Sequence, residues 1–238
     1  MCVLLVSACS GQEFEVASIK PNKSMSGSSS SHSDQGRLTA SNVSLKSLIV
    51  MAYGMRDYQV EGPDWLGSEH FDIAAKFPEA LPKDPEKYNA AFQSMMQKML
   101  AERFKLAIHR DKKIFAVYEL FVGKNGIKFK EVPKGVSHSN SNNNHYTGAS
   151  VSMDRFAVFL SGRMDLPVLD MTGLKGSYDM TLDWVPERQS GKGDTPESVS
   201  GPTLSDAVQD QLGLKLERRK APIEILIVDH TERAPTEN

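Results

Sequence analysis

Beyond residue 10 the chain contains no cysteine, its only two being Cys2 and Cys9. The body can therefore hold neither a disulfide nor a thiolate metal site. A surplus of one charge is also missing. Against 30 acidic side chains stand 28 basic ones, a net charge of −2, without the basic excess of a nucleic-acid binder. No histidine stands in an H-E-x-x-H spacing, no G-x-S-x-G elbow occurs, and none of the 18 lysines follows a serine by three residues. Zinc peptidase, α/β-hydrolase and penicillin-recognising serine chemistry each lose their usual sequence mark. The Ser-x-Lys pairs at Ser18, Ser44 and Ser190 fall in a strand, a helix start and a loop, as chance spacing would place them.

What the chain has is enough apolar content, 39% of 238 residues, for one large or two small cores. It opens on Met1-Cys2-Val3-Leu4-Leu5-Val6-Ser7-Ala8-Cys9, an apolar run ending in small residues, as a secretory leader ends. The run is shorter than the roughly 20 residues of a membrane-spanning helix and has no basic start, which reads as a truncated leader over residues 1–12. Val6-Ser7-Ala8-Cys9 is similar to a lipobox, making Cys9 a lipidation candidate beside simple cleavage before Phe14 or an uncleaved, buried strand. The expected location is extracytoplasmic: periplasmic, secreted or anchored to the outer membrane.

The body aligns with itself at a shift of 108 residues. Over three windows totalling 30 positions nine are identical, where average usage gives roughly two. Leu45, Leu48, Ile49 and Ala52 follow the candidate N-cap Ser44 at helical spacing and end at Gly54. Met153, Phe156, Ala157 and Leu160 follow Ser152 and end at Gly162. Further helices carry Phe92, Met95, Met96, Met99 and Leu100 in the first copy, and Leu204, Ala207, Val208 and Leu212 in the second, behind a Thr203/Asp206 capping box. Strand-like runs cover 58–60, 70–77, 104–110 and 114–122, with partners at 168–170, 177–185, 214–217 and 222–229. The charged tips Asp111-Lys112 and Arg219-Lys220 read as turns of β-hairpins. An α+β fold follows: two pseudo-symmetric α-β-β-α-β-β repeats, 13–136 with a leading strand at 14–19 and 137–238, helices packed on mainly antiparallel sheet. The polar stretches 24–33, 137–144 and 188–201 read as surface loops or disordered segments.

Few side chains suggest chemistry. His32, His138 and His145, near Asp34, lie in polar stretches and read as solvated, with a surface metal site as the alternative. His109 alternates with Leu106 and Ile108 and should face water. Asp72 and Asp179 occupy equivalent strand positions; facing each other they could form a glycosidase pair, although solvent-facing strand positions are the plainer reading. Trp65 and Trp184 read as packing residues, with ligand stacking as the alternative. Residues 1–136 carry a balance of +3 and 137–238 one of −5, which solvent and salt would largely screen. No catalytic, metal or cofactor-binding set is assigned.

Several phrases are longer than chance allows: Phe14-Glu15-Val16-Ala17-Ser18-Ile19-Lys20-Pro21-Asn22, Gly36-Arg37-Leu38-Thr39-Ala40, Gly62-Pro63-Asp64-Trp65-Leu66, Glu102-Arg103-Phe104-Lys105-Leu106, and Val168-Leu169-Asp170-Met171-Thr172-Gly173-Leu174-Lys175-Gly176-Ser177-Tyr178-Asp179. With the ending Val228-Asp229-His230 they resemble the secreted, paralogous family of unknown function expanded in Acidobacteria of the Solibacter type. Each repeat is also similar, in element order alone, to the short N-terminal domain of secretins and TonB-dependent transducers. The resemblance implies an extracytoplasmic sensing or interaction module whose partner is an envelope protein (transporter, secretin or BlaR-type sensor peptidase) or a small envelope ligand. A hydrolase with its site assembled between the repeats is the competing expectation.

Overall fold

The computed structural model describes residues 13–24, 28–34, 36–78, 81–185 and 201–236. Residues 1–12, where a leader and the lipidation candidate Cys9 are expected, and nearly all of 188–201 lie outside the described residues. The chain forms two compact units, one of residues 1–113 with 223–238, the other of 114–222. This division differs from the one at residue 136, because the chain returns to its first unit for its last strand.

In the first unit the elements are β1 (Val16–Asn22), β2 (Ser30–Ser33), β3 (Arg37–Ser44), α1 (Leu45–Tyr53), β4 (Val60–Glu61), β5 (His70–Lys76), α2 (Pro85–Phe104) and the start of β6 (Ala107–Val122). The sheet has the order β1-β5-β3-β2, all antiparallel. Ser44 caps α1 by accepting from the Ser47 amide, and Gly54 ends it in the left-handed conformation, as the spacing predicts. α2 begins at Asp84, which accepts from the Lys87 amide. The predicted faces of both helices are buried with Leu38, Phe71 and Ile73 of the sheet.

The second unit contains the rest of β6, then β7 (Lys130–Val132), β8 (His138–Ser141), β9 (His145–Val151), α3 (Met153–Ser161), β10 (Val168–Asp170), β11 (Ser177–Asp183), α4 (Leu204–Leu212) and the start of β12 (Leu214–His230). Its antiparallel sheet has the order β7-β11-β9-β8. Met153, Phe156, Ala157 and Leu160 of α3, and Ala207, Val208 and Leu212 of α4, are buried against Tyr146, Tyr178 and Leu182. The fold is α+β, with helices on mainly antiparallel sheet.

Two expectations need correction. The 104–122 and 214–229 runs are not hairpins: β6 and β12 are single strands of 16 and 17 residues. No residue of their charged stretches takes a positive φ, and neither stretch carries the glycine of a tight hairpin turn, so the chain does not reverse. They stay extended, Arg110 pairing with Glu224 and Lys113 with Glu61 at 2.5 Å. In the first unit β12 lies between β6 and β4, and in the second β6 lies between β12 and β10, so the last half of β12 lends Leu226 and Val228 to the first core.

The second correction concerns the polar stretches. Ser30–Ser33 and His138–Ser141 are not loops but the outer strands of hairpins, pairing with β3 and β9. A strand at a sheet edge needs ladder hydrogen bonds but no buried side chain, so a Ser/His/Asn sequence suffices. The turns are fastened by side chains: Asp34 accepts from the amides of Gly36 and Arg37, and Asn142 from the amide of Asn144, as Asx turns do.

Candidate functional site

Asp72 and Asp179 lie in different units, and each is bonded within its own. The Asp72 Oδ1 accepts from Asn22 Nδ2 at 2.7 Å, the Asn42 amide at 2.9 Å and Ser41 Oγ at 3.0 Å. Asn42 stands at φ 55° where β3 bulges against β5. In the second unit Asp179 accepts from the Ser150 amide at 2.9 Å, and Ser150 has φ 52° at the bulge of β9 against β11. These carboxylates thus hold strained residues in place. Hydrogen bonds, Asn22 first, lower the Asp72 pKa below its ordinary value.

The histidines take plain positions. His109 faces water, its Nδ1 2.7 Å from Asp229, and His145 pairs across the strands with Asp183 at 2.6 Å. His32 and His138 sit on the edge strands β2 and β8. No group of three or more His, Cys, Asp or Glu able to hold a metal occurs among the described residues. Trp184 is buried in the second core, edge-on to Phe159, and Trp65 packs against the first core under the Arg233 guanidinium.

The features that remain for binding are surfaces. In the second unit the outer sheet face forms an open cavity of about 430 Å³ lined by Lys130, His138, Thr147, Asp179 and Thr181. Its one carboxylate is already bonded to the Ser150 amide. Next to it lies the edge strand β8. Ser139 and Ser141 stand opposite Gly148 and Tyr146, and directly paired residues share a face, so both serines point to the core side. All four β8 side chains are nevertheless exposed. The sheet's inner face therefore ends at Tyr146, whose ring packs on Phe156 and Phe159.

Helix α3 runs beside this uncovered lip. Arg155 donates to the Ser137 carbonyl at 3.5 Å and Arg163 to the Asn142 carbonyl at 2.8 Å, one at each end of β8. Gly162 remains right-handed rather than closing a left-handed cap. The amides of Arg163 and Met164 both bond to the Leu160 carbonyl, which carries Arg163 one turn further along the same side of the helix. There its guanidinium lies 5.5 Å from the Phe159 ring and 5.8 Å from Trp184, a stacked arrangement favourable to Arg.

Residues 46–231 match the family profile described as "Protein of unknown function (DUF3738)". The chain belongs to the DUF3738 family. No curated protein and no solved structure matches it. The DUF3738 match starts in α1, so it leaves out the β2–β3 hairpin and takes in the whole β8–β9 hairpin with α3. Sequence reasoning missed Arg155 and Arg163, because only the strand assignment of the serine- and asparagine-rich stretch reveals what lies between them.

Proposed function

We propose that this DUF3738 protein is a non-enzymatic binding module of the cell envelope, one of the secreted paralogous proteins of the Acidobacteria. In this reading residues 1–12 export it, and Cys9, when acylated, ties it to a membrane. Its partner is an envelope protein, such as a transporter, a secretin or a BlaR-type sensor peptidase, or a small envelope ligand. The observation that carries the reading is the open edge β8, whose core-side serines are exposed. A sheet edge of this kind accepts another strand through backbone hydrogen bonds. The two units, each a sheet bearing a polar edge hairpin, fit descent from one duplicated module.

The test is affinity capture from native envelope extract by the tagged chain and by a variant with Lys at Ser31 and Asn140, which puts a charge on each edge. Capture of a defined transporter, secretin or sensor peptidase by the first and not by the second is expected. A hydrolytic activity removed by changing one acid or histidine would overturn the reading, as would capture indifferent to the edge charges.

A further inference from the structure

The surface between the edge β8 and helix α3, here called the groove, carries an arginine at each end. Arg155, Val158, Phe159 and Arg163 succeed one another at helical spacing along one side of α3. Val158 is 44% exposed, and the two arginines flank it. Their described hydrogen bonds go to neutral oxygens, Ser137 O, Asn142 O and Ser141 Oγ. The nearest acids by position are Asp154, beside Arg155 in the first turn, and Asp165, which lines a cavity with Arg163 and Trp184. No ion pair joins either acid to an arginine among the described residues. The Tyr146 phenol lies under the same edge, where burial raises its pKa, offset in part by the Ser139 hydroxyl, and no described group completes a well-formed hydrogen bond to it.

Distances set the pattern of a fitting ligand. Arg163 follows Arg155 by eight positions, just past the end of α3 at Ser161, about 12 Å at the rise of a helix, and positions i and i+4 of a strand lie about 13 Å apart on one face. A strand added to β8 therefore brings its first and fifth side chains to the two guanidiniums and its third to Val158. We propose that, as the binding edge of the module described above, the groove takes an extended acidic peptide of the pattern Glu/Asp-x-apolar-x-Glu/Asp, as a fifth strand of the second unit's sheet. Among the described residues the first unit has no such pair of arginines on its equivalent helix α1. The 108-residue shift puts Ser47 and Met55 where the arginines stand, which makes it an internal control.

The probe is a fluorescein-labelled peptide with the core Glu-Thr-Val-Thr-Glu, followed by fluorescence anisotropy with the full chain. Saturable binding is expected, weakening at least tenfold in the double variant Arg155→Glu, Arg163→Glu and less than threefold in Arg155→Lys, Arg163→Lys. Circular dichroism checks that both remain folded. A probe with both acids changed to Lys, and one with every amide N-methylated, should each bind at least tenfold more weakly, since the first loses the charge and the second the ladder. Equal binding of the Lys probe, or none of the acidic probe up to millimolar concentration, overturns the proposal. So does concentration-dependent dimerisation that the double Glu variant abolishes, which would give the groove to a second copy. Should the double Glu variant still capture the envelope partner of the intact chain, the binding-module reading stands and this groove fails. Capture by neither, with no probe bound, ends both.

Discussion

At the scale of single residues, two carboxylates that look in the sequence like a latent catalytic pair work instead on the backbone. Asp72 accepts three hydrogen bonds, one from Asn42 in a left-handed conformation. Its pKa is lowered on folding, so the stability it contributes is present above its ordinary value of 3.8 and is lost as pH falls through the lower folded value. Asp72→Asn should lower the melting temperature at pH 7, and the gap from the natural chain should close by pH 2 in thermal melts across that range. Among the described glycines, Gly213 has the least freedom to change. At φ 68°, after the last turn of α4, its added Cβ would stand 2.1 Å from the Gly126 carbonyl oxygen. Gly213→Ala should therefore cost more than the ~1 kcal/mol of an ordinary left-handed site, read from the urea midpoint.

At the scale of elements, the helices were legible because their code is local. Ser44, Ser152 and Thr203 cap where the side-chain spacing puts them, and the apolar positions behind them are the buried ones. The strands with regular alternation, β5 and β11, were equally plain. What the sequence hid depends on partners far along the chain. A Ser/His/Asn stretch becomes a strand only because β3 or β9 offers an edge, and Asp111-Lys112 stays extended because β6 pairs along β12, with Glu61 and Glu224 meeting its neighbours. A direct check follows. Asp111→Asn with Lys112→Gly would favour a tight turn and would stabilise a hairpin there. In a continuous strand the same change should destabilise by about 1 kcal/mol, seen as a lower urea midpoint. The binding groove was hidden for the same reason, since Arg155 and Arg163 acquire a role only once β8 runs between them.

At the scale of the whole molecule, the repeat boundary expected from the sequence at residue 136 does not coincide with the compact units. The first core includes Leu226 and Val228, at 0% and 6% exposure, so residues 13–136 lack part of their own interior. That fragment should show no cooperative unfolding transition, and the chain without 223–238 should lose the first unit's transition in calorimetry. Each unit presents an antiparallel sheet with an open polar hairpin, and neither brings an acid and a base together in an enclosed cavity among the described residues. The most direct test is amide hydrogen exchange of the tagged chain, alone and saturated with the partner it captures. The account predicts slowed exchange at 138–141 and along 155–163, with little change elsewhere. Unchanged exchange there, with protection confined to another surface, would contradict it.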